Sequence, residues 1–150
     1  MARARGRVRN VFWGAFVLDW FKYLQDHDLS SSDYRIMFYL CEKMMTDDNI
    51  ARVKQKTIAQ DLSMDKGNVS KCIKKLCSKQ FIVKASDGFM INPNLFYGGN
   101  GFQNRENLRE NFYNLLSDPA RFFMDEDFRR LVEYPQEDDY NKYDAPFNRP

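Results

Sequence analysis

Apolar residues recur along this chain at a three-to-four spacing in some stretches and as short runs bounded by turn residues in others. From Tyr34 to Met45 the apolar positions are Tyr34, Met37, Phe38, Leu40, Cys41, Met44 and Met45, which predicts a helix with a broad buried face. Leu29-Ser30-Ser31-Ser32-Asp33 supplies N-cap candidates for it. Thr46-Asp47-Asp48-Asn49 is turn chemistry, and Ile50 to Val53 can make one short strand. Thr57 to Leu62 reads as a short helix with Ile58, Ala59 and Leu62 inward. Ser63-Met64-Asp65 is a tight connection, and Lys66 to Lys79 is a further helix burying Val69, Cys72, Ile73 and Leu76. Phe81 to Lys84 and Phe89 to Asn92 then read as strands joined by a turn at Ser86-Asp87-Gly88, with Pro93 ending the second.

The flanks are less regular. Val11 to Val17 suits a strand or the lead-in to a helix, and Leu18, Phe21 and Leu24 have helical spacing. Glu106 to Leu116 predicts a helix with Leu108, Phe112, Leu115 and Leu116 on its apolar stripe, stopped by Pro119. Ala120 to Leu131 predicts one more, with Phe122, Phe123, Phe128 and Leu131 apolar; no helix is predicted after Leu131.

The order helix, short strand, helix, tight turn, helix, hairpin is that of a winged helix-turn-helix. The expected class is therefore mainly α with a small β-hairpin wing, a winged helix-turn-helix with additional N- and C-terminal elements. Residues 1–10 read as a basic arm and 11–100 as the winged domain. Residues 101–131 read as a C-terminal helical extension and 132–150 as an acidic tail.

Composition narrows the chemistry. With 150 residues, 43% of them hydrophobic and 15% aromatic, the chain can build one sizeable core. A single histidine, His27, removes paired-histidine metal sites; it sits between Asp26 and Asp28 and reads as a solvated loop residue. Cys41, Cys72 and Cys77 form no C-x-x-C pair, so a zinc finger or disulfide framework is not expected. Three reduced thiols in a cytoplasmic protein are. The densest apolar run, Val11 to Leu24, is broken by Asp19 and Lys22 and is too short to span a bilayer. The basic start lacks the apolar core of an export signal. The runs Asp125-Glu126-Asp127 and Glu137-Asp138-Asp139 read as solvated acids, and Gly98-Gly99-Asn100-Gly101 as a hinge without P-loop context. No catalytic constellation and no cofactor is expected.

Charge is uneven. Residues 1–84 carry 16 Lys and Arg against 9 Asp and Glu, whereas residues 85–150 carry 7 against 12. A basic first half suits a polyanion. On the second helix of the helix-turn-helix, Lys66, Gly67, Ser70, Lys71 and Lys74 fall outward, with Asn68 at the rim. Lys75, Lys79 and Lys84 extend the basic surface, and Gln55, Lys56 and Thr57 open the first helix where phosphate contact is expected. Arg3, Arg5 and Arg7, with Arg9, form an alternating arm that could lie along a phosphate backbone. These are the candidate DNA-binding residues. The aromatic-rich segment Trp13, Phe16, Trp20 and Phe21, with Leu108, Phe112 and Leu115, is the candidate homodimer interface. A two-fold dimer would set two recognition helices about one DNA turn apart.

Several segments resemble the RepL-type replication proteins of small Gram-positive plasmids. They are Leu29-Ser30 through Leu40, Gln55 through Leu62, Asn68-Val69-Ser70-Lys71 and Ile73-Lys74-Lys75-Leu76. The most specific is Phe81-Ile82-Val83 followed by Met90-Ile91-Asn92-Pro93-Asn94-Leu95-Phe96-Tyr97-Gly98-Gly99. The resemblance covers roughly residues 10–100. It implies a winged-helix protein that binds a plasmid origin in double-stranded DNA and supports replication, with host replication proteins as further partners. It does not imply nicking, which would need a tyrosine beside a histidine-held metal. A transcriptional regulator and a protein-interaction module on the same scaffold are the rival readings.

Overall fold

The computed structural model describes residues 14–98, 102–125, 127 and 130–135. In chain order they form β1 (Gly14–Phe16), α1 (Trp20–Leu24), α2 (Ser31–Lys43), β2 (Ile50–Ala51), α3 (Gln55–Leu62), α4 (Lys66–Ser78), β3 (Ile82–Ala85), β4 (Gly88–Ile91), β5 (Phe96–Gly98), α5 (Phe102–Leu115), β6 (Phe122–Asp125) and β7 (Arg130–Glu133). Helices hold the larger share, but the strands make three small antiparallel sheets. The class is mixed, and "mainly α" understates it.

Local chemistry sets the helix starts. Ser30 and Asp33 form a capping box: the Ser30 hydroxyl accepts from the Asp33 N–H at 3.2 Å and the Asp33 carboxylate from the Ser30 N–H at 2.8 Å. That reciprocal pair begins α2 at Ser31, before the first apolar residue of its stripe. Asp65 caps α4 by accepting from the Asn68 N–H at 3.1 Å. Between α3 and α4 the chain reverses through Ser63, which adopts a left-handed conformation (φ 53°). The Ser63 and Met64 N–H groups bond back to the Gln60 and Ala59 carbonyls, which satisfies the end of α3.

The largest sheet has the order β2-β4-β3. Strands β3 and β4 form a hairpin with Ala85 opposite Gly88, and β2 pairs with the other edge of β4 through Ile50–Met90 and Ala51–Phe89. A side chain at Gly88 would overlap the Ala51 carbonyl, so the close approach of the hairpin to β2 requires glycine there. One face of this sheet joins α2, α3 and α4 in the main core, where Ile36, Leu40, Ile58, Val69, Leu76, Ile82 and Ile91 are fully buried. Removing each such side chain from water contributes about 1.5–3 kcal/mol. Met90 points the other way and packs with Leu108 and Phe112 of α5.

The segment after the hairpin is built by buried amides. Asn92 donates through Nδ2 to the Gln80 carbonyl at 2.8 Å and accepts from the Asn94 N–H and Nδ2 at 2.9 and 3.0 Å. This fixes a turn through Pro93 that delivers Phe96 to Gly98 as β5, antiparallel to β1. Asn49, fully buried with φ 63°, donates to the Ile91 and Phe96 carbonyls and accepts from the Gly98 N–H. The 46–49 turn, β4 and β5 are thereby joined through one side chain.

The C-terminal part corrects the sequence reading. The predicted helix over Ala120 to Leu131 is instead the hairpin β6–β7, with Phe123 opposite Val132 and Met124 opposite Leu131. Its burial alternates: Phe122 is inside, Phe123 is 42% exposed, and Leu131 is inside. A period of two fits these aromatics better than a helical one. Phe122 packs against Tyr23 and Phe81 at ring distances of 5.0 and 6.2 Å, so β6 belongs to the main core. Gln80, at φ 58°, donates to the Pro119 carbonyl and accepts from the Arg121 N–H. Leu108 and Phe112 of α5, Phe122 of β6 and Leu131 of β7 are thus part of the domain's packing, and β7 carries the described structure past residue 131.

Candidate nucleic-acid interface

The geometry of α4 sorts its side chains into three sets. Val69, Cys72, Ile73 and Leu76 make the buried stripe. Opposite it lie Gly67, Lys71, Lys74 and Ser78, all exposed. Lys66 and Ser70 border that exposed stripe on one side, and Asn68, Lys75 and Lys79 border it on the other.

The second border is committed to the fold. The Lys75 ammonium donates to the Asp33 carboxylate at 3.0 Å and to the Asp28 carbonyl at 2.9 Å. Lys79, only 14% exposed, pairs with Asp26 at 2.7 Å and Asp28 at 3.2 Å. The Asn68 amide reaches the Ser32 hydroxyl at 3.4 Å. Lys75 and Lys79, placed on the basic surface by the sequence reading, therefore clamp α4 to the start of α2 and the loop before it. Burial alone would raise the Asp33 pKa, but hydrogen bonds from the Ser30 N–H, Cys72 and Lys75 outweigh it and hold the carboxyl below its usual value. The Asp33 hydrogen bond raises the Lys75 pKa in turn.

The front is different. Among the described residues, none of Lys54, Lys56, Lys66, Lys71, Lys74 and Lys84 has an acidic partner. Lys54 occupies the N-cap position of α3 without a side-chain cap bond, so the first N–H groups of α3, at Gln55, Lys56 and Thr57, receive no side-chain acceptor from it. Beside them a cleft of about 490 Å³ opens between α3 and the hairpin, lined by Val53, Lys54, Gln55, Lys84, Ala85, Ser86, Asp87, Gly88 and Phe89. Lys84 lies close enough to α4 to lower the pKa of Cys77, against the larger upward push of burial. Lys84 thus stands between the cleft it shares with Lys54 and the helix that carries Lys71 and Lys74.

The acids near these lysines are engaged. Asp61 accepts from the Tyr39 hydroxyl at 2.6 Å, and Asp65 caps α4. Asp87, at the hairpin tip, accepts from Arg52 Nε at 2.7 Å. The sequence reading missed Arg52 and Lys54. Asp48 lies in a turn and Arg52 just after a strand, so no helical spacing signalled their pairing.

The other expected site residues divide. Trp20, Leu108 and Phe112 are within 2% of complete burial in the chain's own core and present nothing to a second copy. Phe16, Phe21 and Leu115 are 39–41% exposed. Arg3, Arg5, Arg7 and Trp13 lie outside the described residues. All three cysteines are free thiols; burial pushes Cys41 up to about 12, and burial followed by Asp33 pushes Cys72 up to about 11. Among the described residues no cluster of His, Cys, Asp and Glu could hold a metal ion. No described helix is long and apolar enough to cross a membrane.

Taken together, these features define a small helix-and-hairpin domain that presents a lysine-rich helix face to solvent. Residues 14–128 match the RepL family, the Firmicute plasmid replication proteins, and the chain belongs to that family. A role in plasmid replication follows from this membership. The match runs past residue 100 to include α5 and β6, which the sequence resemblance had not reached, and it starts after the basic arm. No curated protein and no solved structure gives a significant match.

Proposed function

We propose that this protein is a non-enzymatic, sequence-specific binder of double-stranded DNA that acts at a plasmid origin. In this reading α3, the turn at Ser63 and α4 are a helix-turn-helix, and β3–β4 is its wing. The observation that carries it is the exposed stripe of α4 with Lys71 and Lys74, which faces directly away from the buried stripe while Lys75 and Lys79 on one border are tied up in ion pairs. Side chains left free on such a face contact phosphates and base edges in a major groove. Lys71 and Lys74 are central, with Ser70 and Gly67 allowing close approach. Lys66, Lys56, Lys54 and Lys84 follow the backbone, aided by the free N–H groups of α3. The protein acts as a homodimer on a palindromic site, through a surface other than Trp20, Leu108 and Phe112.

Selection of bound sequences from a random duplex library at about 150 mM salt, which suppresses the non-specific component, tests the reading. The expected result is a palindromic consensus with half-sites about 10 base pairs apart, located in a plasmid origin. A folded protein that enriches no sequence would overturn it.

A further inference from the structure

The acid at the tip of the β3–β4 hairpin carries a structural commitment that bears on DNA approach. Asp87 is the hairpin's only acidic residue, and its side chain is 53% exposed beside the cleft that also holds Lys54 and Lys84. Left alone, its carboxylate would repel a phosphate entering that cleft. It is not left alone. Arg52, in the segment between β2 and α3, reaches Asp87 through Nε at 2.7 Å. The same guanidinium holds Asp48 through both terminal nitrogens, at 2.6 and 3.3 Å. Asp48 is fixed in turn by accepting from the Ile50 N–H at 3.1 Å. Arg52, two residues before the N-cap of α3, therefore ties the hairpin tip to the 46–49 turn. Such a fork suits two carboxylates at once, and a lysine would not reproduce it.

We infer that Arg52 is a positioning residue for DNA binding: it offsets the charge of Asp87 and fixes the hairpin tip to the 46–49 turn, without itself touching DNA. The inference rests on the DNA-binding reading above. Its three donor bonds already engage protein carboxylates, which distinguishes it from the free lysines around it. Two consequences follow from the charge. Removing Arg52 leaves Asp87 facing the incoming phosphates. Removing the Asp87 charge instead leaves Arg52 balanced by Asp48 alone, takes a negative charge from the cleft and favours binding.

The experiment is a double-mutant cycle on the full chain, Arg52→Met and Asp87→Asn, with duplex DNA carrying the selected site. Arg52→Met is expected to weaken binding about three- to tenfold at low salt, the size of an exposed charge effect near a phosphate. Asp87→Asn is expected to strengthen it, and the Arg52→Met loss to shrink markedly in the Asp87→Asn background, so that the double variant binds close to Asp87→Asn alone. The slope of log affinity against log salt should stay unchanged in Arg52→Met. A slope reduced by about one would mean that Arg52 contacts a phosphate directly, and would overturn the proposal. So would a loss in Arg52→Met that persists undiminished in the Asp87→Asn background. If Arg52→Met does not fold, as judged by circular dichroism, Asp87→Asn alone decides, and unchanged or weaker binding refutes the inference. Failure of the wild-type protein to bind any duplex would instead strike the DNA-binding reading itself.

Discussion

The division of α4 lysines into free and clamped sets makes a prediction that binding and stability can separate. If Lys54, Lys56, Lys66, Lys71, Lys74 and Lys84 each neutralise one phosphate, the log–log salt slope is about −5 per protomer. A fourfold rise in salt, from about 50 to 200 mM, then lowers affinity by roughly three orders of magnitude. Replacing Lys71 and Lys74 together by Met removes two of these contacts. The slope should become shallower by about two, and the same salt step should cost roughly two orders of magnitude. Both side chains are exposed and unpaired, so the melting temperature should not move. Lys75→Met with Lys79→Met is the contrasting pair. Neither ammonium is on the front, so the salt slope should hold while the melting temperature falls, because Asp33 and Asp26 lose their partners. Fluorescence anisotropy across a salt series, alongside thermal melts, reads both quantities. A shallower slope in the Lys75/Lys79 variant with no change in melting temperature would refute the assignment of front and clamp.

The other expectations concern the fold. Asp33 and Asp26 are both held below the usual carboxylate pKa of 3.8, Asp33 by the balance described above and Asp26 chiefly by its Lys79 hydrogen bond. A depressed folded pKa contributes stability that is present above the unfolded value and is lost as pH falls through the folded one. Urea melts should show stability declining below about pH 4, and Asp33→Asn should flatten that decline; an unchanged acid profile would contradict the pairing. Phe112→Ala should cost about 3–5 kcal/mol and unfold α5 together with the rest in one transition. A separate early transition would show that residues 102–133 form an independent extension.

The sequence made α3, the turn at Ser63, α4 and the β3–β4 hairpin legible because their signals are local. Inward residues on α3 and α4 follow a helical period, the capping residues sit where the helices start, and Ser86 to Gly88 can only turn. The exposed lysines were legible for the same reason: the buried stripe of a helix identifies its opposite face. What sequence periodicity could not do was separate Lys75 from Lys74. The two are adjacent in sequence, and their difference is made by Asp28 and Asp33, more than forty residues earlier in the chain. The β6–β7 hairpin failed for a related reason. Phe122, Phe123, Phe128 and Leu131 fit a loose helical stripe on paper. Tyr23 and Phe81 decide which aromatic goes inside, and both come from distant segments.

The same long-range logic explains the segment that best marks the family. Ile91-Asn92-Pro93-Asn94 carries no exposed chemistry; Asn92 and Asn94 are buried and spend their amides on backbone groups and on each other. Asn49 and Gln80 do comparable work at left-handed backbone positions. A buried amide with its partners removed costs about 1–3 kcal/mol, so each of these residues resists replacement for architectural reasons. This segment therefore reports how β4 leads into β5. The lysines proposed to read DNA stand on α4, outside that segment. A chimera that keeps residues 79–98 and exchanges the exposed positions of α4 should fold normally and bind a different sequence.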